Sequence, residues 1–157
     1  MRLWRAFWRW LSGFRWFTPF ARAMMPVDRL VGRVTRGRVV ALGMLPSLLI
    51  TTTGRKTGLP RQNPLSYLRD GGAFVVVGTN WGQDRPPAWV FNLLATPAAI
   101  VTVRGADLAV HAEEVTERAD HDRLWGAIVA RWPSYQAYLE TAGGRQIRIF
   151  RLVPSQE

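Results

Sequence analysis

The chain has 157 residues, of which 48% are apolar and 11% aromatic, enough for one globular domain with an ordinary core and too apolar for a disordered chain. Its 21 Lys and Arg against 11 Asp and Glu leave a net charge of +10, which calls for anionic partners. The absence of cysteine excludes disulfides and thiolate chemistry, and His111 and His121 are too few for a His/Cys metal cluster, so no metal site is expected.

Residues 1–30 set Arg2, Arg5, Arg9, Arg15, Arg22 and Arg29 against the single acid Asp28, half of the whole positive balance. Leu3, Trp4, Phe7, Trp8, Leu11 and Phe14 recur at helical spacing, with Arg2, Arg5 and Arg9 opposite them. This spacing predicts an amphipathic helix with the composition of one lying in a lipid interface. Arginines interrupt it too often for it to span a bilayer, and it lacks the apolar stretch and small-residue site of a cleavable secretory signal. Residues 1–25 are therefore expected to rest on the anionic inner face of the cell membrane, on their own domain or on a second subunit. A cytoplasmic protein held peripherally at the membrane follows from the first of these. The oligomeric state is not legible.

Residues 26–43 form a transition with Gly32, Gly37 and Gly43. Residues 47–53 read as a buried strand rich in β-branched residues, and residues 59–69 as its hairpin partner. Asp70-Gly71-Gly72 signals a turn into a nearly all-apolar strand over 73–79. After a polar loop, Pro87 opens a short helix over 88–95 that stops before Pro97. Strands over 99–104 and 108–115 flank a turn at Gly105-Ala106-Asp107. Thr116 to Asp120 opens a helix running to about Trp132, followed by a short helical piece through Tyr138 and a last strand over 145–152. Five or six strands joined mostly by hairpins, with two or three helices, make an α+β fold that closes into a small barrel. Residues 31–157 are expected to be that one domain, preceded by the amphipathic segment 1–30. Strand order does not follow from the pattern.

The most specific stretch is Thr51-Thr52-Thr53-Gly54-Arg55-Lys56-Thr57-Gly58-Leu59-Pro60-Arg61-Gln62-Asn63-Pro64-Leu65, followed by Tyr67-Leu68-Arg69-Asp70-Gly71. Glycines bracket a loop with two adjacent cations, and Arg61 follows. Close backbone approach, loop N–H groups and cations suit an anionic group, although a solvated basic hairpin tip has the same composition. Neither a Walker A sequence nor the dinucleotide fingerprint occurs, so a phosphate site here is of another kind. No nucleic-acid motif appears, and no nucleic-acid partner is expected.

The order of these residues resembles the signature of the deazaflavin-dependent nitroreductase family. The resemblance continues through Val75 to Asn80, Pro87 to Leu93 and Trp132-Pro133-Ser134-Tyr135-Gln136-Ala137-Tyr138, and covers roughly 47–154. It implies a split β-barrel with flanking helices and an oxidoreductase that uses reduced coenzyme F-420 on lipophilic quinones or nitro compounds. By the same resemblance, Arg55, Lys56 and Arg61 hold the coenzyme's phosphate and oligoglutamate tail, and Pro64 and Leu65 lie beside its ring. The backbone of Val77, Gly78, Thr79 and Asn80 lines the ring's polar edge, and Asn92 helps fix the site. Tyr135 is the expected hydroxyl donor to the acceptor, with Thr79 and Tyr138 behind it. The chain departs from the family pattern at Ser66, where quinone-reducing members commonly have an aromatic residue. It also departs at Asn80-Trp81 in place of Lys-Gly, and at Trp132 in place of tyrosine. Flavin mononucleotide is the second choice of cofactor. A non-catalytic barrel that sequesters F-420, flavin or haem stays open as an alternative, as does a lipid- or nucleic-acid-binding domain without redox chemistry.

Overall fold

A computed structural model describes residues 46–155, so the helix expected over residues 1–30 lies outside the described residues. The described elements are β1 (Ser47–Thr53), β2 (Pro60–Ser66), β3 (Leu68–Asp70), β4 (Ala73–Val77), a 3-10 turn (Asn80–Gly82) and α1 (Ala88–Ala95). After them come β5 (Ala98–Val103), β6 (Ala106–Glu114), α2 (Arg118–Arg131), α3 (Ser134–Thr141) and β7 (Ile149–Pro154).

The strands form one antiparallel sheet in the order β2-β1-β5-β6-β7-β4-β3. Its two edges, β2 and β3, are consecutive pieces of one segment, so the sheet curls round into a split barrel whose edges are joined through Tyr67. The single strand expected over 59–69 is therefore two. It breaks at Tyr67, whose N–H donates to the Pro46 carbonyl at 3.1 Å. A strand that leaves one neighbour for another at the opposite edge must bend between them, and hydrophobic alternation carries no mark of that change.

Alternation decides what fills the barrel. Leu48 and Ile50 of β1, Phe74 and Val76 of β4, and Phe150 and Leu152 of β7 point inward with Val101 and Val110. Trp89, Val90 and Leu93 of α1 plug this core, and Trp89 meets Phe150 edge to face at 5.9 Å. The outward residues Val75 and Ile149 pack with Val115 under Leu124, Ile128 and Trp132, which binds α2 to the barrel wall.

Three boundaries differ from the expectation. Arg104 and Gly105 both take positive φ (52° and 88°) and make a two-residue turn, so β6 begins at Ala106. β4 ends at Val77 rather than Thr79, where the chain enters the 3-10 turn. β7 begins at Ile149 rather than residue 145 and runs on to Pro154, which pairs with Val110; proline is tolerated at a strand's end.

Candidate active site

The basic loop between β1 and β2 is folded by its own backbone. Gly54 donates to the Leu59 carbonyl at 2.8 Å, and Thr57 and Gly58 donate to the Gly54 carbonyl at 3.1 and 2.7 Å. A Cβ at Gly54 would stand 2.9 Å from Thr57 Oγ1 and 3.0 Å from the Leu59 oxygen, so only glycine closes the loop this tightly. Arg61 Nη2 donates to Thr57 Oγ1 at 3.4 Å, which draws the third cation back over the loop.

Asn92 of α1 anchors this loop to the core. It is 5% exposed; its Oδ1 accepts from the Arg55 N–H at 3.1 Å, and its Nδ2 donates to the buried Thr52 Oγ1 at 3.0 Å. Arg55's guanidinium lies over the Phe91 ring at 4.7 Å. Arg55, Lys56 and Arg61 are exposed, and among the described residues none of them forms an ion pair. Cations left without carboxylates keep their capacity for an incoming anion.

β2 leads away from this tip. At about 3.4 Å per residue, the five steps from Arg61 to Ser66 span roughly 17 Å. Pro64 and Leu65 lie between them, both partly buried, opposite Leu49 and Leu48. Leu65 packs against the barrel core, so part of its side chain is taken by strand packing.

Aromatic side chains gather at the far end of β2. Tyr135 and Tyr138 lie on α3 with ring centroids 5.5 Å apart; Trp132 stands 5.7 Å from Tyr135, and Trp81 6.0 Å from Tyr138. Ser66 stands beside the Tyr135 hydroxyl. Burial pushes the Tyr135 phenol well above the usual tyrosine range, and Tyr138 adds to the rise, while the neighbouring Ser66 hydroxyl opposes it. Tyr135 therefore stays protonated at any ordinary pH and keeps an O–H to donate in a hydrogen bond.

The segment from Gly78 to Arg85 closes this end. The carbonyls of Gly78, Thr79 and Gln83 all accept from the Arg145 guanidinium, at 3.1 Å, 2.5 Å and 2.9 Å. Burial pushes Arg145 below its usual range, and Asp84 partly restores it. An arginine nevertheless remains a cation. The Thr79 carbonyl also accepts from the Gly82 N–H and the Asn80 carbonyl from Gln83, so the carbonyls of 78–80 are all engaged. Asn80 Nδ2 donates to the Arg85 carbonyl at 2.8 Å, which commits the Asn80 side chain to the loop itself.

The expected residues thus fall into two groups joined by β2. Arg55, Lys56, Arg61 and Asn92 stand at one end, and Thr79, Asn80, Tyr135 and Tyr138 at the other, with Pro64 and Leu65 between. Val77 and Gly78 lead into the second group, where Gly78 N–H donates to Arg148 O at 2.9 Å. Sequence reasoning did not single out Arg145, which it placed at the start of a strand. The preceding Gly143-Gly144, both at positive φ (62° and 77°), marks a turn, but no spacing tells which carbonyls a guanidinium will find.

The sequence model of the F-420H(2)-dependent quinone reductase family matches residues 26–154. An F-420H(2)-dependent quinone reductase of Mycobacterium tuberculosis is 38% identical over 112 residues, covering 67% of this chain and 75% of the relative. Among solved structures, an F-420-H2 dependent reductase (FDR-A) aligns with a TM-score of 0.61 at 30% identity, over 68% of this chain and 93% of that one. A chain described as a domain-swapped dimer aligns at 0.63 and 28% identity, over 85% of this chain and 98% of its own. With the family's sequence pattern running the length of the curled sheet and its helices, this chain belongs to the F-420H(2)-dependent quinone reductase family.

Proposed function

We propose that this protein reduces a lipophilic quinone or nitro-type acceptor with reduced coenzyme F-420 at the surface of a membrane. Family membership carries the coarser part: the protein is an F-420-dependent oxidoreductase. The observation that supports the finer part is the polarity of the site. Cations without an ion-pair partner among the described residues stand at one end of β2 and a protonated, partly buried tyrosine among rings at the other, which fits a long group with an anionic tail and a flat head.

When bound, the reduced coenzyme supplies a hydride from its ring. Arg55, Lys56 and Arg61 hold the anionic tail, each charge-assisted bond contributing about 1.5–3 kcal/mol. Asn92 fixes the Arg55 backbone by accepting its N–H, so that the side-chain cations of the loop would meet the anion. Pro64 and Leu65 would lie beside the ring, and the backbone from Val77 to Asn80 would line its polar edge. As the acceptor takes on negative charge at oxygen, the Tyr135 hydroxyl would donate a hydrogen bond there and keep its own proton, the proton that completes the reduction coming from solvent. Removing one such donor typically costs about 10²–10³ in rate. Ser66 orients that hydroxyl, and Tyr138 and Trp132 keep water away from it.

Membrane action rests on residues 1–25, whose tryptophans and arginines suit an anionic interface. Among the described residues no helix is long and apolar enough to cross a bilayer. The test is oxidation of reduced F-420 by the full-length protein with menaquinone analogues carried in anionic or neutral vesicles, and with nitroaromatics in solution. Turnover is expected, faster on anionic vesicles than on neutral ones. No oxidation with either class of acceptor overturns the proposal, and equal rates on both vesicles overturn its membrane part.

A further inference from the structure

Trp81 sits where a side chain costs most. Asn80, Trp81 and Gly82 all have left-handed backbone, with φ of 48°, 56° and 70°. A bulky residue in that region is an outlier that the surroundings must enforce. Gly82 needs its place: a Cβ there would stand 2.0 Å from Thr141 Oγ1 and 3.2 Å from Tyr138 Cα, because the turn lies directly on α3. Trp81 has no such requirement, and glycine would suit its φ better.

Several bonds hold the turn in this conformation. Arg145 bonds three carbonyls that flank it, those of Gly78, Thr79 and Gln83; the Asn80 side chain ties it to Arg85, and the Gly82 and Gln83 N–H groups close it from within. The outcome is the position of one indole. Trp81 ends the series Trp132, Tyr135, Tyr138, Trp81, in which each ring centroid lies within 6.0 Å of the next. Trp132 and Tyr138 are buried, whereas Trp81 and Tyr135 stay partly exposed, so the indole adds a second accessible face to the aromatic wall beside Tyr135. A strained backbone held by a partly buried guanidinium at the rim of a site is the pattern of a functional position rather than of core packing.

We propose that Trp81, clamped in its left-handed turn by Arg145, is a specificity-determining residue that selects acceptors by the aromatic face they offer at the mouth of the site. This rests on the reading of Tyr135 and Tyr138 as the acceptor side. A fused two-ring quinone reaches from the tyrosines to the indole, and a single-ring quinone of the same reactivity does not. Arg145 is the positioning residue.

The experiment compares kcat/KM for a naphthoquinone and a benzoquinone with reduced F-420, for the wild type, Trp81→Gly, Trp81→Phe and Arg145→Lys. One aromatic contact sets the scale at roughly 3–10-fold. Trp81→Gly is expected to lower the naphthoquinone-to-benzoquinone ratio by that factor, leaving F-420 affinity and thermal stability in place. Trp81→Phe is expected to keep most of the ratio, and Arg145→Lys to lose part of it. Should Trp81→Gly fail to fold, Trp81→Leu retains bulk without a π face and must lower the ratio likewise. A ratio within twofold of wild type in the folded variant overturns the inference while leaving F-420-dependent turnover standing. A wild type that reduces neither quinone overturns the functional reading first, and this inference with it.

Discussion

Tyr135 brings α3 to the end of β2 through one hydroxyl. Its ring packs against the cluster under α2, and its oxygen meets Ser66. The raised phenol has consequences for both catalysis and stability. Tyr135→Phe keeps the ring and removes the donor, so turnover with a quinone is expected to fall by about 10²-fold while F-420 affinity stays within twofold; equal loss of both in steady-state and titration measurements means a packing role instead. The sign for stability follows from linkage. The folded state holds this proton above the ordinary tyrosine value of 10.0, so unfolding becomes more favourable as pH rises past about 10. Denaturant melts at pH 9 and 11 should show an alkaline loss in the wild type that is smaller in Tyr135→Phe. Ser66 was legible only as a departure from the family pattern. Its pairing with Tyr135 depends on residues nearly seventy positions away.

The hairpin β1–loop–β2 shows how much one element can encode. Gly54, the two cations, Gly58 and Pro60 all follow from local chemistry, and the structure closes the loop with bonds among those same residues. Its anchor is different, because Asn92 lies on α1 and reads as an ordinary polar helix residue until the loop is folded beside it. Since Arg55 and Lys56 are exposed, their replacement should act on binding rather than on folding. Arg55→Ala with Lys56→Ala is expected to weaken F-420 binding by at least tenfold for each bond lost, to flatten its dependence on salt, and to leave the melting temperature nearly unchanged. Fluorescence titration of the coenzyme at 20 mM and 500 mM salt (about 20 and 3–5 Å of screening length) reads this directly. Salt dependence that persists in the double variant assigns the anion to other cations. In β2 and β3 the alternation predicts an extended segment correctly and misses the bend at Tyr67, because both pieces keep the same period while changing partners.

Across the whole molecule, four charges fasten the turn after β3 to α2 and β7. Asp70 accepts from Arg123 and Arg151, and Asp120 accepts from the same two arginines, at 2.6–3.2 Å. Asp120 is held down to about 2, chiefly by its bonds to Arg151 and then to Arg123, and Asp70 is lowered by Arg123 and then Arg151. A carboxyl lowered on folding stabilises above its unfolded value, and that contribution disappears as pH falls through the folded one. Stability is therefore expected to drop between about pH 4 and pH 2. Asp120→Asn should be less stable at pH 7 and lose less across that interval, as followed by thermal melts; an unchanged acid slope assigns the drop to other groups. The sequence by itself determined the strands and helices, the basic loop and the family, because periodicity, turn chemistry and ordered motifs are properties of neighbouring residues. The tertiary structure alone decided the closure through Tyr67, the ring of four charges, the Ser66–Tyr135 contact and the grip of Arg145 on the strained turn. Each of these joins groups distant along the chain, and only the packed barrel sets the distances between them.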